Sequence, residues 1–200
     1  MGEGDQQAGS GGPDAENLAA TVRKAAAKGP PPVHLWNPPF CGDLDMRIAR
    51  DGTWFYMGTP IGRPALVRLF ASVIRKDDDA YFLVTPVEKV GITVDDAPFV
   101  AQDFRVEGAG EAQRLVFATN VGDETEAGPE HPIRVVRDAQ TGEPSPYVHV
   151  RANLEALIDR KSFYRLVDLG EHAAVDGRSW FGVRSGGVFF PILPSEDLED

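Results

Sequence analysis

The sequence predicts an α+β fold of two small domains built on a duplicated strand–helix–strand core. Three observations carry that prediction. Residues 41–57 alternate charged and apolar side chains, with Asp43, Asp45 and Arg47 on one face of a strand and Leu44, Met46 and Ile48 on the other, because successive side chains point oppositely. A helix pattern follows at once, opened by Pro64 and striped with Leu66, Val67, Phe70, Val73 and Ile74 at helical spacing. Finally, the segment Ile61–Phe70 is echoed by Ile158–Val167, and at the same offset Asp79–Thr85 falls on Asp176–Gly182, strand on strand. The plainer account of the echo is two amphipathic helices agreeing by chance. Duplication is the reading adopted, and its period is too long for a solenoid.

The elements are justified in chain order. Residues 1–13 are polar and glycine-rich and read as a disordered arm, since such a segment buries too little to offset its ordering entropy. An Ala-rich stretch from Asn17 to Lys28 suits a short helix, ended by Gly29 and Pro30–Pro32, and with the arm it makes up residues 1–33. Asp51-Gly52 reads as a two-residue hairpin turn, in which both positions tolerate positive φ. That turn pairs Arg50 with Thr53, Ile48 with Phe55, Arg47 with Tyr56 and Met46 with Met57. It sets Met46, Ile48, Phe55 and Met57 on the apolar face, and gathers Asp45, Arg47, Trp54 and Tyr56 on the other. Asp77-Asp78-Asp79 reads as a solvated loop.

Tyr81–Thr85, Val90–Val94, Phe99–Val106 and Arg114–Thr119 read as strands, residues 120–130 as an exposed acidic loop, and His131–Arg137 and Tyr147–Arg151 as further strands. After Asn153 a helix is expected in two pieces around Asp159–Lys161. A final hairpin joins Ser179–Arg184 to Val188–Ile192 across Gly186-Gly187, and the tail SEDLED is expected to fray. Domains are drawn at 34–88 and 89–200.

Composition narrows the function. A formal net charge of -11 opposes a nucleic-acid polymer, whose binding rests on Lys and Arg neutralising phosphates. Cys41 is the single cysteine, so an intrachain disulfide and a cysteine-based zinc site are both excluded. The acidic start lacks the apolar core of a secretory signal, and Gln6 breaks the myristoylation pattern. No apolar run is long enough to cross a membrane as a helix. The expectation is a cytoplasmic protein with no membrane contact.

The chemistry-bearing residues cluster in the first half. Asp43, Asp45 and Glu88 supply three carboxylates that, converging, suit a metal ion or split pKa values. Arg47 and Lys89 lie close enough in sequence to neutralise them instead, which is the plainer account. Arg47, Arg63, Arg68 and Lys89 suit an anion through planar or point-charge donors. Trp54 or Tyr56 suits stacking on a base, against the plainer account of a solvated cation–π pair worth about 0.5–1 kcal/mol. His34, His131, His149 and His172 show no metal-ligand spacing and no triad, so they read as ordinary polar residues. The serines lack a G-x-S-x-G elbow, Cys41 reads as structural, and Gly108-Ala109-Gly110 lacks the third glycine and following helix of a dinucleotide fingerprint. No cofactor is expected.

The motifs Gly42-Asp43-x-Asp45-Met46-Arg47-Ile48, Asp51-Gly52-x-Trp54, Gly58-x-Pro60-Ile61, Arg63-x-x-Leu66-Val67-x-Leu69-Phe70, Tyr81-x-Leu83-Val84-Thr85-Pro86-x-Glu88-Lys89 and Asp96-Ala97-Pro98-Phe99 form a set. With them, residues 34–193 resemble the bacterial domain-of-unknown-function family twelve-eighty-five. The resemblance implies a two-domain α+β protein with a duplicated core and a C-terminal half similar to pleckstrin-homology-like barrels. It also implies binding of a small, nucleotide-like ligand in signalling.

The expected function is binding of a small anionic, nucleotide-derived molecule in a cleft between residues 34–88 and 89–193, with catalysis not expected. Arg47, Arg63 and Lys89 hold the negative groups, Asp43, Asp45 and Glu88 orient them or accept protons, and Trp54 or Tyr56 stacks. Two alternatives stand beside it. One is a metal-dependent hydrolase using Asp43, Asp45 and Glu88, and the other a protein-interaction module. The sequence assigns no protein partner.

Overall fold

A computed structural model describes residues 14–27 and 29–198, so the expected arm over 1–13 and the last two residues of the tail lie outside it. The chain divides into two units. The first comprises the described residues up to Arg47 together with Tyr56–Thr93, and the second comprises Ile48–Phe55 together with the described residues from Val94 onward.

In the first unit, α1 (Ala15–Ala26) begins two residues earlier than expected, because the Asp14 carboxylate accepts the Glu16 and Asn17 amides as an N-cap. Leu18, Ala19 and Val22 form its buried face, which packs against α2 (Pro64–Ala71). Most residues of one six-stranded sheet belong to this unit; its strands are β1 (Phe40–Ile48), β2 (Trp54–Tyr56), β3 (Thr59–Pro60), β4 (Ile74–Asp77), β5 (Ala80–Val84) and β6 (Lys89–Val94), in the order β3-β2-β1-β6-β5-β4. The expected alternation in β1 holds, with Leu44, Met46 and Ile48 buried and Asp43, Asp45 and Arg47 exposed.

The hairpin register differs from expectation by one residue. The Ala49 amide donates to Thr53 O at 2.9 Å and the Met57 amide to Asp45 O at 2.9 Å, so the loop is Arg50-Asp51-Gly52 rather than Asp51-Gly52 alone. Gly52 supplies the left-handed residue at φ +86, and the Asp51 carboxylate accepts the Thr53 amide, as a three-residue hairpin loop requires. A slip of one residue reverses every side chain on the second strand. Trp54 therefore turns inward and is 2% exposed, whereas Met57, expected inward, is 68% exposed.

Asp77 is not a solvated loop residue either. The tight turn is Asp78-Asp79, with Asp78 at φ +52, and Asp77 is the end of β4, paired with Ala80.

The second unit carries a six-stranded half-barrel sheet made of β7 (Phe99–Glu107), β8 (Arg114–Thr119), β9 (Glu124–Glu126), β10 (Ile133–Arg137), β11 (Pro144–Arg151) and β12 (Leu154–Ile158). Their order is β10-β11-β12-β7-β8-β9, antiparallel except where β12 runs parallel to β7. Two expectations fail here. Residues 120–130 hold β9, with Thr125 and Ala127 buried, because the chain returns along β8. Residues 154–158 form a strand and not a helix. Leu154, Ala156 and Ile158 alternate inward against Glu155 and Leu157, and pairing on both sides overrides the helix propensity of Leu, Glu and Ala.

After α3 (Arg160–Asp168), capped by Asp159 on the Ser162 amide, come β13 (Glu171–Val175), β14 (Arg178–Ser185) and β15 (Val188–Pro194) as a three-stranded sheet. Buried Ser185 fastens this sheet to its neighbours, accepting the Leu115 amide at 2.8 Å and donating to Ala127 O at 2.7 Å. The tail through Leu198 forms one 3-10 turn and is not frayed to that point.

The two halves are similar, as the echo predicts. Each has a helix of eight or nine residues followed by a hairpin whose turn begins on an aspartate in the left-handed region, Asp78 in one and Asp176 in the other. No helix among the described residues is long and apolar enough to cross a membrane.

Candidate functional site

The residues singled out by sequence separate into distinct settings. Asp43, Asp45 and Arg47 form an exposed row along β1, and the Asp43 carboxylate lies over Gly91 of β6, where an added Cβ would collide with Oδ1. Trp54 is a core side chain, so the stacking expected of it falls to others. Tyr56 and Arg63 are brought together, lining a cavity of about 280 Å³ with Pro60, Ile61, Leu66 and Phe70. Glu88 is half-buried, and burial raises its carboxyl above the usual value.

Lys89 is committed elsewhere. Its Nζ lies 2.6 Å from Asp77 Oδ2 and 4.0 Å from the Phe82 ring centre. The same Asp77 receives a two-pronged contact from Arg75 at 2.8 Å through each nitrogen, and Arg75 also donates to Trp36 O at 2.7 Å. The Arg75 hydrogen bonds foremost, then Lys89, hold Asp77 below the usual carboxylate value against the opposing effect of burial. Asp43, Asp45 and Glu88 do not converge as the hydrolase alternative requires. Among the described residues, no group of three or more His, Cys, Asp or Glu side chains is disposed to hold a metal ion.

A second cavity lies in the second unit, lined by residues the sequence did not single out. This cavity, of about 360 Å³, is lined by Arg50, Glu143, Asp159, Arg160, Phe163 and Tyr164, over a floor that includes Pro146 and Ile158. The hairpin loop supplies Arg50, and the start of α3 supplies Asp159, Arg160, Phe163 and Tyr164. Arg50 is held from two sides: Nη1 lies 3.1 Å from Asp96 Oδ2, and Nη2 donates to Ser145 Oγ at 2.8 Å. Its side chain remains 59% exposed, leaving donors for a bound group. Arg160 faces Glu143 at 3.6 Å with both groups exposed, a contact weak enough to exchange. Tyr164 is 59% exposed and offers a ring face at the mouth. The cavity thus combines guanidinium donors, carboxylate acceptors and an aromatic wall, at a size within the range of small-molecule sites.

Two histidines also meet. His131 and His149, which show no ligand spacing in sequence, are brought to 3.0 Å between their Nδ1 atoms by the return of β10 along β11. His172 instead meets the Ser195 hydroxyl at 2.8 Å on an exposed surface. Only the pairing of strands reveals such neighbours, and the notable signal in the sequence for the larger cavity is Arg50 at a hairpin turn.

Comparison with known proteins agrees with the architecture. Residues 31–97 match the model of the N-terminal domain of unknown function DUF1285, and residues 98–192 match that of the DUF1285 C-terminal domain. The chain is similar to the crystal structure of a DUF1285 family protein from Silicibacter pomeroyi DSS-3, with 64% identity and a TM-score of 0.83 over 92% of this chain and 98% of that one. It is also similar to a DUF1285 family protein from Shewanella baltica OS155, with 29% identity and a TM-score of 0.50 over 62% of this chain and 91% of that one. No curated protein matches it.

Proposed function

The chain belongs to the DUF1285 family, and from that premise we propose that it is a binding protein for a small anionic molecule, seated in the cavity of the second unit. The observation that supports this reading is Arg50, pre-positioned by Asp96 and Ser145 yet open to solvent at the cavity wall. A guanidinium already fixed in place loses little side-chain entropy when a phosphate or carboxylate arrives. Glu143 and Asp159 suit amino or hydroxyl donors at the far end of the same molecule, and the Phe163 and Tyr164 rings suit a planar group. A nucleotide-derived ligand carries all three features. Such a binder suits sensing, the signalling role that the family resemblance implies, in a cytoplasmic setting.

Thermal shift with nucleoside monophosphates tests the proposal. Ligand at 100 times its Kd stabilises by about 2.7 kcal/mol, which moves the midpoint of a chain this size by roughly 5–10 °C. Arg50→Ala and Arg160→Ala are expected to lose the shift, and Arg63→Ala in the smaller cavity to retain it. If no monophosphate shifts the wild type, or Arg50→Ala responds as the wild type does, this reading is wrong.

A further inference from the structure

His149 sits in a built setting. Its amide donates to Pro132 O at 3.0 Å, and its carbonyl accepts the Thr125 hydroxyl at 3.1 Å, so the backbone is pinned from both sides. The ladder between β11 and β12 shifts register between His149 and Arg151, and Ala152 follows with φ +49. A bulge of this kind re-aims a side chain, and the left-handed conformation is one that alanine seldom adopts. Together they present the Ala152 carbonyl to His149 Nε2 at 2.6 Å. A carbonyl can only accept, so His149 Nε2 carries a proton towards Ala152 O, and in the neutral ring this leaves the lone pair on Nδ1, the atom that lies beside His131 Nδ1. The ring centres are 5.0 Å apart with planes inclined at 34°, and both rings are half-buried.

We propose that His131 and His149 form a two-histidine site for a late first-row divalent metal ion, bound through both Nδ1 atoms, with water in the remaining positions. Nitrogens each about 2.0–2.1 Å from a tetrahedral zinc stand about 3.3–3.4 Å apart, so the observed 3.0 Å needs ring movement of a few tenths of an ångström. Imidazole suits copper, nickel and zinc. The bond from His149 Nε2 to Ala152 O is the outer contact that orients a metal-bound histidine and fixes its tautomer. With two protein ligands the affinity is modest, and Cu(II) binds more tightly than Ni(II) or Zn(II).

Titration of the full chain with copper(II) and zinc(II) chlorides in a non-chelating buffer tests the site by calorimetry and by nitrogen-15 spectra of the imidazoles. One ion is expected per chain. Zinc should shift the His131 and His149 Nδ1 signals together, before those of His34 and His172. His131→Ala and His149→Ala are each expected to weaken zinc binding at least about tenfold, with His172→Ala unchanged. Should a variant fail to fold, the wild-type spectra still decide. The proposal is overturned if zinc leaves both Nδ1 signals in place, moves another histidine first, or binds His131→Ala as tightly as the wild type.

Discussion

The Tyr147 hydroxyl donates to Asp96 Oδ1 at 2.7 Å, and the other oxygen of Asp96 faces Arg50 at 3.1 Å. One carboxylate with 14% of its side chain exposed thus anchors both a sheet residue and the cavity arginine. Asp96→Ala removes the acceptor from a buried hydroxyl and the partner from a guanidinium, and is expected to cost about 1–3 kcal/mol in urea denaturation. Asp96→Asn, which can still accept from Tyr147, should cost less. Equal losses for the two would contradict this account.

Tyr147 gives that contact a pH dependence. Burial foremost, and then the bond to Asp96, raise its hydroxyl above the usual value of 10.0. A raised folded value means that the stabilisation is complete below the unfolded pKa and is lost as pH rises through the folded one. The stability difference between wild type and Tyr147→Phe should be constant to about pH 9 and shrink above about pH 10. A difference that stays flat through pH 11 would show that the hydroxyl is not held as described.

Asp77 has the opposite sign. Its folded value is lowered, chiefly by Arg75 and then by Lys89, so its contribution is present above the ordinary carboxylate pKa and is lost as pH falls through the lower folded one. The Asp77 side chain is 34% exposed, and solvent screening reduces the worth of the triad to roughly 1 kcal/mol. Asp77→Asn should destabilise by that amount at pH 7 and converge with wild type under acid, as followed by denaturant midpoints from pH 7 to pH 2.

Glu88 is raised by burial alone, so its stabilisation is full below the ordinary glutamate pKa and declines as pH rises through the folded one. Glu88→Gln should therefore raise the denaturation midpoint at pH 7 and leave it unchanged near pH 3.5. A loss of stability at pH 7 would instead reveal a favourable partner for the carboxylate.

The hairpin register is checked by size reduction. Trp54→Ala empties a fully buried site and should cost about 3–5 kcal/mol, with the native tryptophan emission losing a blue-shifted component. Met57→Ala, at 68% exposure, should change stability by less than about 0.5 kcal/mol. A larger effect at Met57 than at Trp54 would restore the two-residue turn.

Much of the fold was legible because periodicity carries it. The alternation of β1 and the final Gly186-Gly187 hairpin stand where the pattern puts them. The Pro64 helix begins as expected but ends at Ala71, so that Val73, read as part of its stripe, lies in the turn beyond it and Ile74 opens β4. Misreadings arose where a longer-range contact decided the matter. Gly52 carries a hairpin in either register, and its place is fixed within the second unit by Asn120, whose Nδ2 donates to Gly52 O at 3.3 Å. Residues 154–158 become a strand because β7 and β11 flank them. The candidate cavity was not legible, since Arg50, Glu143 and Arg160 lie far apart in the chain. Of the eight residues singled out, Tyr56 and Arg63 line a common cavity.

The hairpin tip Ile48–Phe55 is counted with residues from Val94 onward, so the backbone enters the second unit, leaves to finish the first, and then returns. Severing the chain near residue 97, where the two family models meet, would give a carboxy-terminal fragment lacking Trp54 and deprive Asn120 of the Gly52 carbonyl. A gene fusion or exchange made at that seam would pass on a damaged module, and the protein is best expressed, shuffled and engineered as one indivisible length.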